Sequence, residues 1–158
     1  MLHFAYGSNM DRGIMRRHAP EAVAIGVALL ADRRFVISSD GYASVVPTRG
    51  QSVYGVLWRL TPRDRVTLDR WECIASGQYR AETLQVRVVG GLRQALVYVA
   101  RPHFGIGTRG RPKPDYMELV LAAARSWELP AGYVASLQVW LLRSLGAGTR
   151  KLRELECT

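Results

Sequence analysis

Phe4-Ala5-Tyr6-Gly7-Ser8-Asn9-Met10 decides how the rest of this sequence is read. Its apolar, aromatic opening suits a short buried strand. The strand then breaks into Gly-Ser-Asn, turn chemistry in which Gly7 can adopt φ > 0 and present bare backbone. Asn9 is a good N-cap, so Met10-Asp11-Arg12 is expected to begin a short helical turn. A strand that stops at such a turn and re-enters as helix points consecutive N–H groups outward. Those groups can hold a carboxylate or stabilise an oxyanion. Taken alone, the tripeptide is also what an ordinary strand end looks like. Its company along the chain gives it weight.

Working outward, Glu21 to Ser39 reads as two strands interrupted at Asp32-Arg33, and Asp40-Gly41 as a hairpin turn leading into a short strand from Tyr42 to Pro47. Gly50-Gln51 turns again into a strand from Ser52 to Leu60. Thr61-Pro62-Arg63-Asp64 then starts a helix cleanly: Thr61 caps, Pro62 takes the first helical position and Asp64 stands three residues after the cap. This helix is expected to run to about Glu72. Strands Arg80 to Val89 and Leu92 to Ala100 follow, joined by the hairpin signal Gly90-Gly91.

Arg101 to Lys113 is dense in Gly, Pro and Arg and reads as a loop long enough to act as a lid or binding segment. Pro114 opens a helix whose apolar stripe is Tyr116, Leu119, Val120, Ala123 and Trp127. Leu129-Pro130 breaks it, and Tyr133 to Leu145 forms a second amphipathic helix ended by Gly146-Ala147-Gly148. Residues 1–145 are thus expected to form a single domain, with 146–158 a polar tail. The element order suits an α+β fold: a mixed, mainly antiparallel sheet or barrel with helices packed outside it.

At 158 residues the chain is long enough for one real core, and 48% hydrophobic with 22% charged residues is a globular composition. No apolar run reaches a membrane-spanning length, and the N-terminus enters the first strand without a basic-then-apolar segment. Cys73 and Cys157 lie too far apart for a metal or redox spacing, so free thiols and a cytoplasmic location are expected. The formal charge of +9 comes from arginines that are scattered and form no nucleic-acid signature. Specific nucleic-acid or membrane binding is therefore not expected. The charge does suit an acidic partner, such as an acidic carrier protein bearing the substrate.

His3, His18 and His103 have no metal-ligand spacing to one another or to the cysteines, so neither a metal nor a cofactor is expected. Glu72 is the carboxylate of interest. It sits at the end of the capped helix, about 40° round from Leu68 and so near the core-facing side. Trp71 beside it could shield it from water. A carboxyl group so placed has its pKa raised by desolvation, as a general base that later acts as an acid requires.

Three features occur in one order: the Phe4–Met10 stretch, Leu68-Asp69-x-x-Glu72 with Tyr79 seven residues on, and Pro112-x-Pro114-x-Tyr116 at a helix start. Together they resemble the γ-glutamylcyclotransferase-like (AIG2-like) family over roughly residues 3 to 140. The resemblance implies a small β-barrel decorated by helices with a cavity at one side. It further implies that Tyr6, Gly7, Ser8 and Asn9 hold the γ-glutamyl group of a small-molecule substrate. Glu72 would be the catalytic acid/base, and Tyr79 and Tyr116 would line the pocket. Cys73 departs from the glycine that commonly follows the glutamate, and would shift Glu72 if that position needs a special backbone angle.

The family chemistry is intramolecular aminolysis, which needs orientation, a proton acceptor, oxyanion stabilisation and a proton for the leaving amine. The Gly7–Asn9 amides could serve the oxyanion or the α-carboxylate. The alternative is a non-catalytic binding module that keeps the cavity or uses its basic surface for an acidic partner. In such a module the Glu72 carboxylate is expected to point to solvent.

Overall fold

Two long antiparallel strands dominate the computed structural model, which describes residues 1–101 and 110–155, with only the backbone described from 145 onward. β1 (Leu2–Ala5), β2 (Val23–Ile37), β3 (Ala43–Arg59), β4 (Tyr79–Val88) and β5 (Gly91–Ala100) close into a barrel in the order β1-β3-β2-β4-β5. All neighbours are antiparallel except β1 and β5, which run parallel at His3 and Leu96. This is the small mixed, mainly antiparallel barrel that the sequence suggests. α1 (Arg12–His18), α2 (Pro62–Trp71), α3 (Tyr116–Ser126) and α4 (Ala131–Leu155) accompany it, and a single 3₁₀ turn, Ser8–Met10, joins β1 to α1.

The breaks expected at Asp32-Arg33 and Gly50-Gln51 are not strand ends. They face each other across one irregularity, where pairing jumps from Ala31↔Ser52 to Arg33↔Pro47. Asp32 takes a left-handed φ of 53° and its carboxylate accepts the Gly50 amide at 2.8 Å, while Gly50 itself has φ 79°. Each turn signal therefore satisfies the other as a bulge, and β2 and β3 continue through it.

Thr61 and Asp64 form the reciprocal capping box at the start of α2. The next helix begins at Tyr116, not Pro114, because Asp115 stands at its cap in a left-handed conformation. α4 begins at Ala131 and runs through Gly146-Ala147-Gly148 to Leu155. An established helix propagates through glycine at roughly 1 kcal/mol per residue, which these glycines do not make prohibitive. Most of the expected lid, including His103, lies at 102–109, outside the described residues.

The buried core gathers Phe4, Tyr6 and Phe35 from the strands with Leu68, Met117, Leu121 and Leu137 from the helices. Tyr6 meets Phe35 edge-on at 6.5 Å, and Phe35 in turn meets Trp140 of α4 at 6.3 Å. Strand period and helix stripe thus converge on one core, with the β1–α1 connection at its rim.

Candidate active site

Glu72 is the residue directly after α2, with near-helical backbone angles. The helix finishes there in a Schellman motif. The Cys73 amide donates to Arg70 O at 3.1 Å and the Ile74 amide to Asp69 O at 3.0 Å, while Ile74 packs against the core. Cys73 occupies the position that glycine usually fills and has φ 52°. The special angle is therefore present, and the cysteine adopts it.

With that turn closed, the Glu72 carboxylate points to the β1–α1 loop. Asn9 donates its side-chain N–H to Glu72 Oε1 at 2.6 Å. This use of Asn9 overturns the expectation that it caps a helix. Asp11 is the cap of α1, its carboxylate accepting the Ile14 amide at 2.9 Å. The 3₁₀ turn is closed by the Met10 amide on Gly7 O and the Asp11 amide on Ser8 O, at 3.0 and 2.9 Å.

Gly7 has φ −115°, so the left-handed angle expected of it is not used. What requires glycine is space. A Cβ at Gly7 would lie 2.8 Å from the Tyr116 hydroxyl and 3.1 Å from Ala43 Cβ. Tyr116 brings that hydroxyl from the first residue of α3 and accepts the Ala43 amide at 3.2 Å. At the far end of α3, the Trp127 indole N–H donates to Met10 O at 2.7 Å. One helix thus holds the loop from both of its ends, which links the helix's apolar stripe to the position of the site.

A cavity of about 40 Å³ opens beside the loop, lined by Tyr6, Gly7, Ser8, Asn9, Glu72 and Tyr79, with His3 and Tyr98 among the remaining walls. An outer groove, flanked by the half-exposed aromatics Tyr42 and Trp71, shares Ser8, Glu72 and Tyr79 with it. Trp71 stacks on His18 with ring centroids 3.9 Å apart. Tyr79 donates to Ala43 O at 2.7 Å and Tyr6 to Tyr98 O at 2.5 Å, so both hydroxyls are tied to the barrel backbone. Tyr116 lies behind the Gly7–Ser8 backbone and is not a cavity wall.

Burial raises the pKa of Glu72 to about 7; the Asn9 hydrogen bond opposes that rise and the nearby Asp69 adds to it. Tyr6, Tyr79 and Tyr98 are pushed up from the usual tyrosine value, and Tyr116 to about 12, in each case first by burial and partly by Glu72. The cavity accordingly sets one carboxyl group, poised to gain or lose a proton near neutrality, among phenols that stay protonated. Among the described residues, no group of three or more His, Cys, Asp or Glu side chains gathers to hold a metal.

A model of the AIG2-like family matches residues 52–137, more than half of the chain. The chain belongs to this family. Proteins named gamma-glutamylcyclotransferase are similar to it: the Bos taurus protein is 25% identical over 147 residues, covering 86% of this chain and 76% of the relative. The Homo sapiens protein is 26% identical over 153 residues, covering 87% and 77%. Among solved structures, a gamma-glutamyl cyclotransferase superposes with a TM-score of 0.77 at 24% identity, covering 87% of this chain and 86% of its own. The Homo sapiens protein described as uncharacterized protein loc79017 gives 0.77 at 26% identity, covering 87% and 85%. The barrel and its surrounding helices are the fold of these neighbours.

In this AIG2-like chain the motif residues Tyr6, Gly7, Ser8, Asn9, Glu72 and Tyr79 meet at one cavity although β2 and β3 separate them in sequence. Three walls, Ala43, Tyr98 and His3, lie outside the motifs. Tyr98 of β5 donates its hydroxyl to Asp69 at 2.7 Å, and Asp69 also accepts Arg65 at 2.7 Å. His3 of β1 sits with its ring tilted 5.3 Å from Tyr98. Strand alternation puts His3 and Ala5 on one face, but only barrel closure beside β5 brings that face to α2.

Proposed function

We propose that this protein is a γ-glutamylcyclotransferase, releasing 5-oxoproline and a free amine from a γ-glutamyl substrate. The observation that carries the reading is the 2.6 Å Asn9–Glu72 hydrogen bond, which directs a carboxyl group with pKa near 7 at the Gly7–Ser8 loop inside the cavity. In a binding module that had lost its chemistry, this carboxylate would be expected to turn to solvent.

In the proposed reaction the α-ammonium of the γ-glutamyl group gives a proton to Glu72. The freed amine attacks the γ-carbonyl carbon, forming a C–N bond and a tetrahedral oxyanion. When that intermediate collapses, the original γ C–N bond breaks and Glu72 returns its proton to the departing nitrogen; the ring nitrogen's second proton then passes through Glu72 to the freed amine, which leaves as an ammonium. Five-membered ring closure and leaving amine account for all atoms, and Glu72 ends in its starting state. The gain comes from holding the chain in its attacking conformer and from a base whose pKa matches working pH. The inner cavity suits the γ-glutamyl head, and the outer groove, which meets it at Glu72, suits the departing amine.

The test is 5-oxoproline release from a panel of γ-glutamyl amino acids, dipeptides and amines, with wild type beside Glu72→Gln. Product from wild type alone is the expected result. Equal rates in the two proteins would remove Glu72 from the reaction, and product from neither would remove the activity.

A further inference from the structure

Two of the residues that line this cavity, His3 and Asn9, carry buried acceptors without a partner among the described residues. His3 is only 2% exposed and lines the cavity. Its Nδ1 lies 3.1 Å from Leu96 O, and since a carbonyl only accepts, Nδ1 must carry the proton. Burial lowers the pKa of His3 to about 4, so the ring is neutral at working pH. Nε2 is then a bare acceptor, and it has no hydrogen-bond partner among the described residues. Asn9 is 6% exposed; with its N–H₂ turned to Glu72, its Oδ1 is likewise an acceptor, and likewise unpartnered.

Buried polar atoms left unpaired are destabilising. Here the unpaired atoms are both acceptors, and a third acceptor, the Glu72 carboxylate, stands in the same walls. A primary ammonium offers three N–H donors with no acceptor of its own, which is the complement of this set. We propose that His3 Nε2 and Asn9 Oδ1 accept two N–H groups of the substrate's α-ammonium while Glu72 takes the third proton. This rests on the γ-glutamyl reading and adds to it a specificity residue, His3. The arrangement accounts for a neutral histidine beside the general base: a charged imidazole there would repel the group it is to hold. It also pins the amine after deprotonation, since two of its N–H bonds remain held while the lone pair turns to the γ-carbon.

The test compares binding of L-glutamate with glutarate, which lacks the amine, by titration calorimetry. The proteins are wild type, His3→Asn and His3→Gln, with melting curves to confirm folding. Asn can keep the bond to Leu96 O but has no atom at Nε2; Gln can reach that position with an acceptor. Wild type is expected to prefer L-glutamate by about tenfold or more. His3→Asn should lose most of that preference with glutarate binding unchanged, and His3→Gln should recover part of it. A wild type with no preference, or binding neither ligand, overturns the cradle. So does His3→Asn that keeps the preference or weakens both ligands equally. If His3→Asn does not fold, His3→Gln decides, and a folded His3→Gln without the preference overturns the proposal. 5-Oxoproline release measured on the same wild-type sample separates the two readings. Preference without product keeps the cradle and removes the cyclotransferase, whereas product without the preference removes the cradle alone.

Discussion

The Tyr116 hydroxyl stands 2.8 Å from where a side chain on Gly7 would begin. The glycine of the loop and the tyrosine of α3 are therefore one packing unit, with the Ala43 amide hydrogen-bonded to the same oxygen. Gly7→Ala should cost about 1–3 kcal/mol in urea unfolding, the usual range for overpacking a tight site. Because the clash is with the phenolic oxygen, Tyr116→Phe should relieve part of it. The double variant is expected to be more stable than the two single losses would sum to. Additivity to within about 0.5 kcal/mol would show that something other than the hydroxyl closes the space above Gly7.

Glu72 makes a second prediction through pH. As a base it must be deprotonated to accept the ammonium proton, so kcat/KM should rise with pH through a midpoint near 7. Asn9 opposes the rise in that pKa by donating to the charged carboxylate. Asn9→Ala should move the midpoint upward as well as slow the reaction. A midpoint that falls or stays in place would mean that the profile reports another group.

The same shift has a stability consequence with a definite sign. A carboxyl group whose folded pKa lies above its unfolded value binds more protons when folded. Its contribution is full below about 4.5 and is lost as pH rises through about 7. Glu72→Gln removes that loss. The variant's stability relative to wild type should therefore increase between pH 5 and pH 8 in parallel urea titrations, even as turnover falls by about 10²–10⁴-fold. A stability difference that is flat with pH would show that burial does not shift this group.

Much of this arrangement was legible locally. The Phe4–Met10 stretch, the Thr61–Asp64 capping box, the Asp40-Gly41 and Gly90-Gly91 turns and the position of Glu72 on its helix each depend on a few adjacent residues. What was illegible depends on pairing at a distance. Asp32 and Gly50 each read as a strand break until they face each other, when the Asp32 carboxylate takes the Gly50 amide and both strands continue. Asn9 has the right chemistry for a cap, but Asp11 two residues on takes that role and frees Asn9 for a carboxylate 63 positions away. His3 and Tyr98 have no motif at all. Their place in the cavity follows from β1 and β5 closing the barrel, an event that no periodicity within either strand encodes.

Cys73 provides the last prediction. It holds φ 52° at the Schellman position where glycine is most at ease, and a side chain in that region costs roughly 1–2 kcal/mol. Glycine would recover that cost but would also add freedom to the unfolded chain, worth about 0.4–1 kcal/mol in the other direction. Cys73→Gly should therefore be more stable than wild type by about 0.5–1 kcal/mol, the balance of these two effects. Cys73→Ala keeps the strained angle while removing the thiol, and should show no such gain. Since the Glu72 carboxylate is directed by Asn9, neither variant should move the pH midpoint of kcat/KM. A gain in Cys73→Ala equal to that in Cys73→Gly would assign the effect to the thiol. A shifted midpoint in Cys73→Gly alone would show that the backbone angle, and not Asn9, sets where the carboxylate points.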